Sequence, residues 1–454
     1  MTLPLRLVGD DVEAVLPDGS RRPYVSLDSA ASTSALPAVA EAVAAFLPWY
    51  SSVHRGAGAK SRYCTERYES ARDLVLDFVG ADPATHVAVF PRNTTEALNL
   101  VAFRLGLTRA DVVLTTVAEH HSNLLPWRRH ARVRYVDVDD DGTFLVEAVL
   151  AGLDEHPRPR VLAMTGASNV TGWLPAVARI AAAARDRGVL VVLDAAQLAP
   201  HRQVRMAELG VDVLAFSGHK LYAPFGTGAL VAPRCLLAEG EPLLLGGGTV
   251  DVVGLDDVLW TDGPDREEAG SPNVVGVVAL AAAVQELQRI GWRAIAAHEA
   301  NVRARLDQQL ASVPGLVRLG PAAGDRLPVG AFTLGDTHHA LLAARLAHEH
   351  GIAVRSGCFC AHPLVTRLLR LTPDQVALHR DDAGVGEKRR LPGAVRASAG
   401  LASTLADIDA LGAALRAIAA TPELAAAYSQ GVDGQFRALA ATGAPPRCPS
   451  IVAI

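Results

Sequence analysis

The chain has 454 residues, of which half are hydrophobic and a fifth charged, and a formal net charge of -5. That length exceeds one ordinary core and predicts two or more domains. The balance is globular rather than disordered, with no general electrostatic pull toward nucleic acid or anionic membrane. No apolar run reaches the roughly 18 residues of a membrane span. The opening MTLPLRLVGDDVEAV places acids where a secretion signal has a basic start, so a cytoplasmic protein is expected. Five cysteines are too few and too scattered for a disulfide scaffold. Cys358 and Cys360 lie closer together than a zinc pair usually does, with no second pair elsewhere, so no metal site is expected.

Taken in chain order, short continuous apolar runs occur at residues 87–90, 112–117, 133–138, 161–165, 189–193, 211–216 and 228–231. Continuous rather than alternating hydrophobicity marks strands buried on both faces. The segments between them fit helices, such as 94–105, rich in Ala and Leu, and 177–186, nearly all Ala, Arg and Ile. This alternation predicts an α/β domain over residues 27–290, with a mainly parallel sheet flanked by helices. A long helical pattern at 274–310 leads out of it. Residues 291–454 read as a smaller α+β domain ending in helices at 404–419 and 423–441, with residues 1–26 packing against it. The polar stretch 371–393 lies between apolar segments and is expected to be an exposed insertion or mobile loop.

The strongest chemical signal is SGHKLYAPFGTG, residues 217–228. Lys220 stands at the end of a buried strand, where open α/β sheets place ligands. A lysine amine forms Schiff bases with carbonyl cofactors once burial depresses its pKa; a surface turn lysine is the alternative. In VVLDAAQLAPH, Asp194 closes an apolar strand where an unpaired carboxylate is costly. It suits the ring nitrogen of pyridoxal 5′-phosphate, whose electron-sink role needs that nitrogen protonated. Gln197 is placed to donate to the ring's phenolic oxygen. A helix cap is the other reading of Asp194.

After the run at 87–90, RNTTEALNL makes a strand, polar turn and helix N-terminus, which is an anion site. Thr94 and Thr95 would complete a phosphate cup or serve as ordinary caps. In AEHHSNLLPW, His120 or His121 can stack on a planar ring or shuttle protons. Thr94, Thr95, His120, Asn169, Asp194, Gln197 and Lys220 all fall at or just past successive strand ends, the layout of a cofactor crevice.

These residues resemble the class V aminotransferase family of fold-type I pyridoxal phosphate enzymes, and within it the Suf-type cysteine desulfurases and selenocysteine lyases. The resemblance runs from LDSAAS to RASAGL through VHRGAGAKS, TERYESAR, NTTEALN, AEHHSNLLPW, SNVTGWL, LDAAQLAPH, FSGHKLY, GGG, EAGSPN and VRSGCFCAHP. It implies a homodimer that binds pyridoxal 5′-phosphate and acts on L-cysteine. Lys220 would be the Schiff-base lysine, Asp194 the pyridinium partner and His120 the stacking histidine. Thr95, Ser217 and His219 would hold the phosphate, and Ser271, in place of the family's usual threonine, would reach the partner subunit's phosphate. Asn169 would lie near cofactor and substrate. Arg396 resembles the arginine that clamps the substrate carboxylate, and Arg355 stands near the same end. Cys360 falls where the family's persulfide-forming cysteine stands. Its ionisation at neutral pH needs help, and Arg355 or His362 is placed to give it.

Two departures touch only the sulfur-handling region. Cys358 and Phe359 replace the two histidines of the Suf-type pattern, and Cys-Phe-Cys resembles the corresponding segment of molybdenum-cofactor sulfurases. The 371–393 segment is unlike the compact Suf-type one. The expected activity is conversion of L-cysteine to L-alanine, with a persulfide on Cys360 for a sulfur-acceptor protein. The alternatives are a C–S lyase, selenocysteine lyase, epimerase or aminotransferase in which Cys360 is not the nucleophile, and a non-enzymatic sulfur carrier. Cys448, in the Pro-flanked tail, is either an exposed thiol or a relay for sulfur from Cys360.

Overall fold

The computed structural model describes residues 3–439. Its large sheet has seven strands: β1 (His86–Val89), β2 (Val112–Thr116), β3 (Arg132–Val136), β4 (Val161–Thr165), β5 (Leu190–Asp194), β6 (Val213–Ser217) and β7 (Gly228–Pro233). Each of the seven apolar runs read from the sequence forms one of them. The spatial order is β1-β7-β6-β5-β4-β2-β3. The neighbours from β6 through β3 are parallel, and β7 runs antiparallel to both β6 and β1. Two reversals return β1 to the direction of β6. The C-terminal ends of β1, β2, β4, β5 and β6 therefore open on one edge of the sheet.

Burial on both faces explains why these runs are continuous rather than alternating. Leu114, Leu162, Leu193, Leu214 and Phe216 join the core on one side. Their neighbours Val113, Val161, Ala163, Val192, Val213 and Ala215 join a separate core on the other. The period of two along each strand thus divides its apolar side chains between two helix layers.

A second sheet is wholly antiparallel, with β8 (Leu316–Leu319), β9 (Val329–Leu334), β10 (Arg355–Gly357) and β11 (Ala394–Ser398) in the order β8-β9-β11-β10. Helices Trp292–Ala311, His339–His350 and Leu405–Ala420 pack on it through a core that includes Val302, Phe332, Leu342, Val395 and Leu411. From the N-terminal segment, Val25–Ser26 pairs in parallel with Ile352–Ala353.

Three expectations are corrected. The helical pattern at 274–310 is two helices, Val274–Ile290 and Trp292–Ala311, bent by 81°. Gly291 sits between them at φ 86, a backbone that side-chain-bearing residues avoid. The polar stretch at 371–393 contains the helix Pro373–Gly384, started by a capping box in which Thr372 and Gln375 exchange hydrogen bonds. None of its residues is buried, so the segment is exposed as expected, with a helix where a mobile loop was the other expectation. The expected helix at 423–441 is a short 3-10 turn, Pro422–Ala427, followed by the hairpin Tyr428–Gln430 with Phe436–Ala438. Gly434 at φ 78 closes that hairpin, and Cys448 lies outside the described residues. Among the described residues no single helix is long and apolar enough to cross a membrane.

Candidate active site

The shared strand edge of the large sheet opens into a cavity of about 430 Å³. Thr94, Thr95, His120, Asn169, Asp194, Gln197, Ser217, His219 and Lys220 line it from the large sheet, and Arg355, Cys360 and Arg396 line it from the small one. Ser271 is not among them. It sits on an exposed loop between Glu268 and Asn273, beside a different cavity.

One end of the cavity is built for an anion. The helix Thr94–Arg104 begins here, with the Asn93 side chain accepting from Glu96 N–H as its cap. Thr94 N–H donates to Ser217 Oγ at 2.8 Å, and the Thr94 and Ser217 hydroxyls are 2.7 Å apart. Thr95 Oγ1 is 2.6 Å from Ser122 Oγ. The helix dipole and this hydroxyl network together favour a phosphate. Gly218 lets β6 turn into β7 at this point, because a Cβ there would meet Thr227 O at 2.6 Å.

Beyond the anion end, Lys220 and Asp194 stand at the ends of adjacent parallel strands. Burial pulls the Lys220 amine down to about 8, against the attraction of Asp194. Burial also raises the Asp194 carboxyl, opposed by a hydrogen bond from Ala196 N–H at 2.9 Å and by Lys220. His120 is pushed down to about 3, first by burial and then by Lys220. It is therefore a neutral ring at physiological pH. Its Nδ1 accepts from Ser122 N–H at 3.1 Å, so the proton sits on Nε2. Gln197 donates its amide N–H to Ala30 O at 2.7 Å, which fixes its side chain at the cavity wall. Burial brings His219 down to about 4, with Lys220 adding to the shift.

The opposite wall is the loop after β10. Phe359 and Cys360 both adopt left-handed backbone, at φ 53 and φ 54. For residues other than glycine this costs about 1–2 kcal/mol each, so the surroundings must impose it. Asn169 Nδ2 donates to Phe359 O, and His121 N–H donates to Cys360 O, both at 2.7 Å. The Arg396 guanidinium lies 5.1 Å from the centre of the Phe359 ring. Arg396 itself is buried, donating to Asp28 Oδ1 and Asn169 O at 2.9 Å. Arg355 is more exposed and lies 3.6 Å from the other Asp28 oxygen. Cys360 is left as an exposed thiol at the cavity.

Of the two histidines that the sequence left open, His120 lines the cavity, whereas His121 turns to His362. His362 is bonded to the sulfur of Cys358 rather than of Cys360. Sequence reasoning missed Ala30, Asn93, Ser122 and Asp28, which hold the predicted residues in place. It also missed Glu119, whose carboxyl burial pushes up to about 8 and which binds Thr116 Oγ1 and Asn123 Nδ2 behind His120. Only Asn93 carried a local signal, as an Asn three residues before Glu96 at a helix start. Among the described residues one group, His54, Glu69 and Asp265, gathers three possible metal-ligand atoms within 4.8 Å. Arg72 is already paired with both of its carboxylates.

Comparison with known proteins identifies the family and the fold. A family model described as aminotransferase class-V matches residues 25–411. A cysteine desulfurase of Cronobacter sakazakii is 38% identical over 375 residues, 80% of this chain and 91% of that protein. A probable cysteine desulfurase of Halobacterium salinarum is 35% identical over 422 residues, 89% of this chain and 96% of that protein. Among solved structures, the apo cysteine desulfurase of Thermococcus onnurineus superposes with a TM-score of 0.78 at 32% identity, covering 87% of this chain and 95% of that one. The Escherichia coli cysteine desulfurase CsdA gives 0.73 at 34% identity, covering 86% and 94%. The chain belongs to the class V aminotransferase family.

Proposed function

We propose that the protein is a pyridoxal-phosphate-dependent cysteine desulfurase, forming L-alanine from L-cysteine and leaving a persulfide on Cys360. The observation that carries this reading is Cys360, an exposed thiol on a tied, left-handed loop, facing the same cavity as Lys220. The desulfurases to which the chain is similar support it.

The donor set fits the cofactor. Thr95, Ser217, His219 and the helix terminus suit its phosphate, Asp194 its ring nitrogen, and the His120 ring its face. Gln197 gives one amide N–H to Ala30 O and has a second that suits the phenolic oxygen. When bound, pyridoxal phosphate supplies an electron sink that weakens the bonds at the substrate's α carbon.

The chain's own residues do the rest. Lys220, with its amine near neutrality, attaches the cofactor and then carries a proton to and from the α carbon. Arg396 receives the substrate carboxylate, and its bond to Asp28 holds the guanidinium plane. Arg355 adds positive charge on the same side. Cys360 then attacks the substrate sulfur. The carbon–sulfur bond breaks, a sulfur–sulfur bond forms, and the proton that completes alanine comes from the Cys360 thiol by way of the site's acid–base groups.

A homodimer fits two further features. Leu47, Trp49, Tyr50, Val252, Val253 and Leu255 are large apolar side chains left exposed, and Tyr50 lines a cavity together with Ser271. Such a patch favours a protein partner, and a second copy would bring Ser271 toward the partner's phosphate. Transfer to an acceptor protein and a cytoplasmic setting complete the reading. The test is L-cysteine turnover by the cofactor-loaded protein with the organic product identified. Alanine, with a trapped persulfide on Cys360, supports the proposal, whereas pyruvate or a racemised amino acid overturns it.

A further inference from the structure

The desulfurase step leaves one organised thiol unused. Cys358 Sγ lies 2.9 Å from His362 Nε2 and 3.3 Å from its Nδ1. The His362 backbone N–H donates to His121 Nε2 at 3.1 Å, which makes that nitrogen an acceptor. His362 Nδ1 is 3.1 Å from the same nitrogen, and the two rings are parallel to within 2°. Two bare lone pairs at that distance would repel. The network therefore assigns the His362 proton to Nδ1, donated to His121, and leaves an unprotonated Nε2 as the ring nitrogen nearest Cys358 Sγ. His121 comes from the large domain's loop after β2, so this arrangement exists only when the two domains meet.

Burial raises the Cys358 thiol and lowers both imidazoles. The resting pair is thus a thiol on a neutral base, ready to lose its proton only as its sulfur attacks. Cys358 and Cys360 line the same cavity, and the residue between them, Phe359, has its ring stacked on Arg396. The hydrogen bonds from Asn169 to Phe359 O and from His121 to Cys360 O hold the loop, with its left-handed backbone, in that arrangement.

We infer that Cys358 is a second sulfur-carrying thiol, which takes the outer sulfur of the Cys360 persulfide with His362 as its base. The inference rests on the desulfurase reading above. Cys358 sulfur attacks the outer sulfur, forming a new sulfur–sulfur bond while the bond to Cys360 breaks. The Cys358 proton passes to His362 Nε2 and then to the departing Cys360 thiolate. One persulfide and one thiol become one thiol and one persulfide, with no net oxidation. Cys360 is restored for another turnover while the sulfur waits on a half-buried thiol for an acceptor thiol.

The experiment gives the cofactor-loaded protein limiting L-cysteine, alkylates it at intervals and locates persulfides by fragmenting the peptide that bears both cysteines. In the unaltered protein the label is expected on Cys360 first and on Cys358 afterwards. Cys358→Ser should still form alanine in its first turnover and hold the label on Cys360 alone. His362→Gln should keep the Cys360 label and slow its appearance on Cys358 by roughly tenfold or more, a modest loss for a general base. Cys360 labelled with Cys358 never labelled overturns the inference and leaves the desulfurase reading standing. A Cys358–Cys360 disulfide with one equivalent of released sulfide also overturns it, since attack has then fallen on the inner sulfur. Absence of both alanine and Cys360 label overturns the desulfurase reading and the inference together.

Discussion

The Asn169 side-chain amide donates to the Phe359 carbonyl at 2.7 Å, joining the loop after β4 of the large sheet to the cysteine loop of the small one. Asn169 O in turn accepts from Arg396 Nη1 at 2.9 Å. One residue thus sets the position of both the thiol-bearing loop and the arginine proposed to hold the substrate carboxylate.

Replacing Asn169 with Ala removes the side-chain tie and keeps the backbone one. The buried Phe359 carbonyl loses its partner, and the loop shifts. A misplacement of about 1 Å can cost on the order of 100-fold in rate. Asn169→Ala is expected to slow alanine formation by roughly 10- to 100-fold while cofactor absorbance is retained. Steady-state assay beside an absorbance spectrum checks this; an unchanged rate would show that the tie does not position Cys360.

Cofactor uptake by the apo protein should follow the state of Lys220. With its amine at about 8, roughly a tenth is neutral at pH 7, against roughly one part in 2,500 for an ordinary lysine near 10.4. Protonation below that value removes the nucleophile, so the rate of Schiff-base formation rises with pH and levels off just above 8. Stopped-flow absorbance across pH 6–10 measures it. A rate still climbing at pH 10 would mean an unperturbed lysine.

Asp194→Asn keeps the shape at the end of β5 and removes the charge. Loss of a single well-placed electrostatic contact costs on the order of 100- to 1,000-fold in turnover, and that is the loss expected in alanine formation, with cofactor still bound. A rate within about twofold of the unaltered protein would separate Asp194 from the ring nitrogen.

Arg72 supports the loop that carries Ser271. It is buried and pairs with Glu268 at 2.8 Å, Glu69 at 3.0 Å and Asp265 at 3.3 Å. Glu268 also accepts from Phe90 N–H and the Tyr68 hydroxyl. Arg72→Ala strands a buried carboxylate, a change that costs about 3–5 kcal/mol. The expected result is a thermal midpoint lower by several degrees, read by calorimetry, whereas exposed Arg437→Ala should leave it nearly unchanged.

The large sheet was legible because each of its central strands is apolar on both faces, which is a local property of the chain. The residues of the anion end were legible for the same reason, since each follows such a strand. What stayed hidden depends on contacts distant in sequence. Nothing local tells that His121, rather than His120, turns toward His362, since the residue it meets is 241 positions away. Asp28 reaches Arg396 across 368 positions. The helix Pro373–Gly384 was missed despite the Thr372 and Gln375 capping box, because it buries no face and so lacks the apolar period that marks helices. The alanine-rich 423–441 segment misled in the opposite sense: helix propensity there yields to a Gly-closed hairpin.

The proposed desulfurase activity stands or falls on Cys360. The decisive measurement is single-turnover conversion of L-cysteine by cofactor-loaded Cys360→Ser beside the unaltered protein, with alanine quantified and persulfide trapped. One equivalent of alanine with persulfide is expected in the unaltered protein, and neither in the variant, whose cofactor absorbance is unchanged. Alanine formed at the unaltered rate by Cys360→Ser would contradict the proposal.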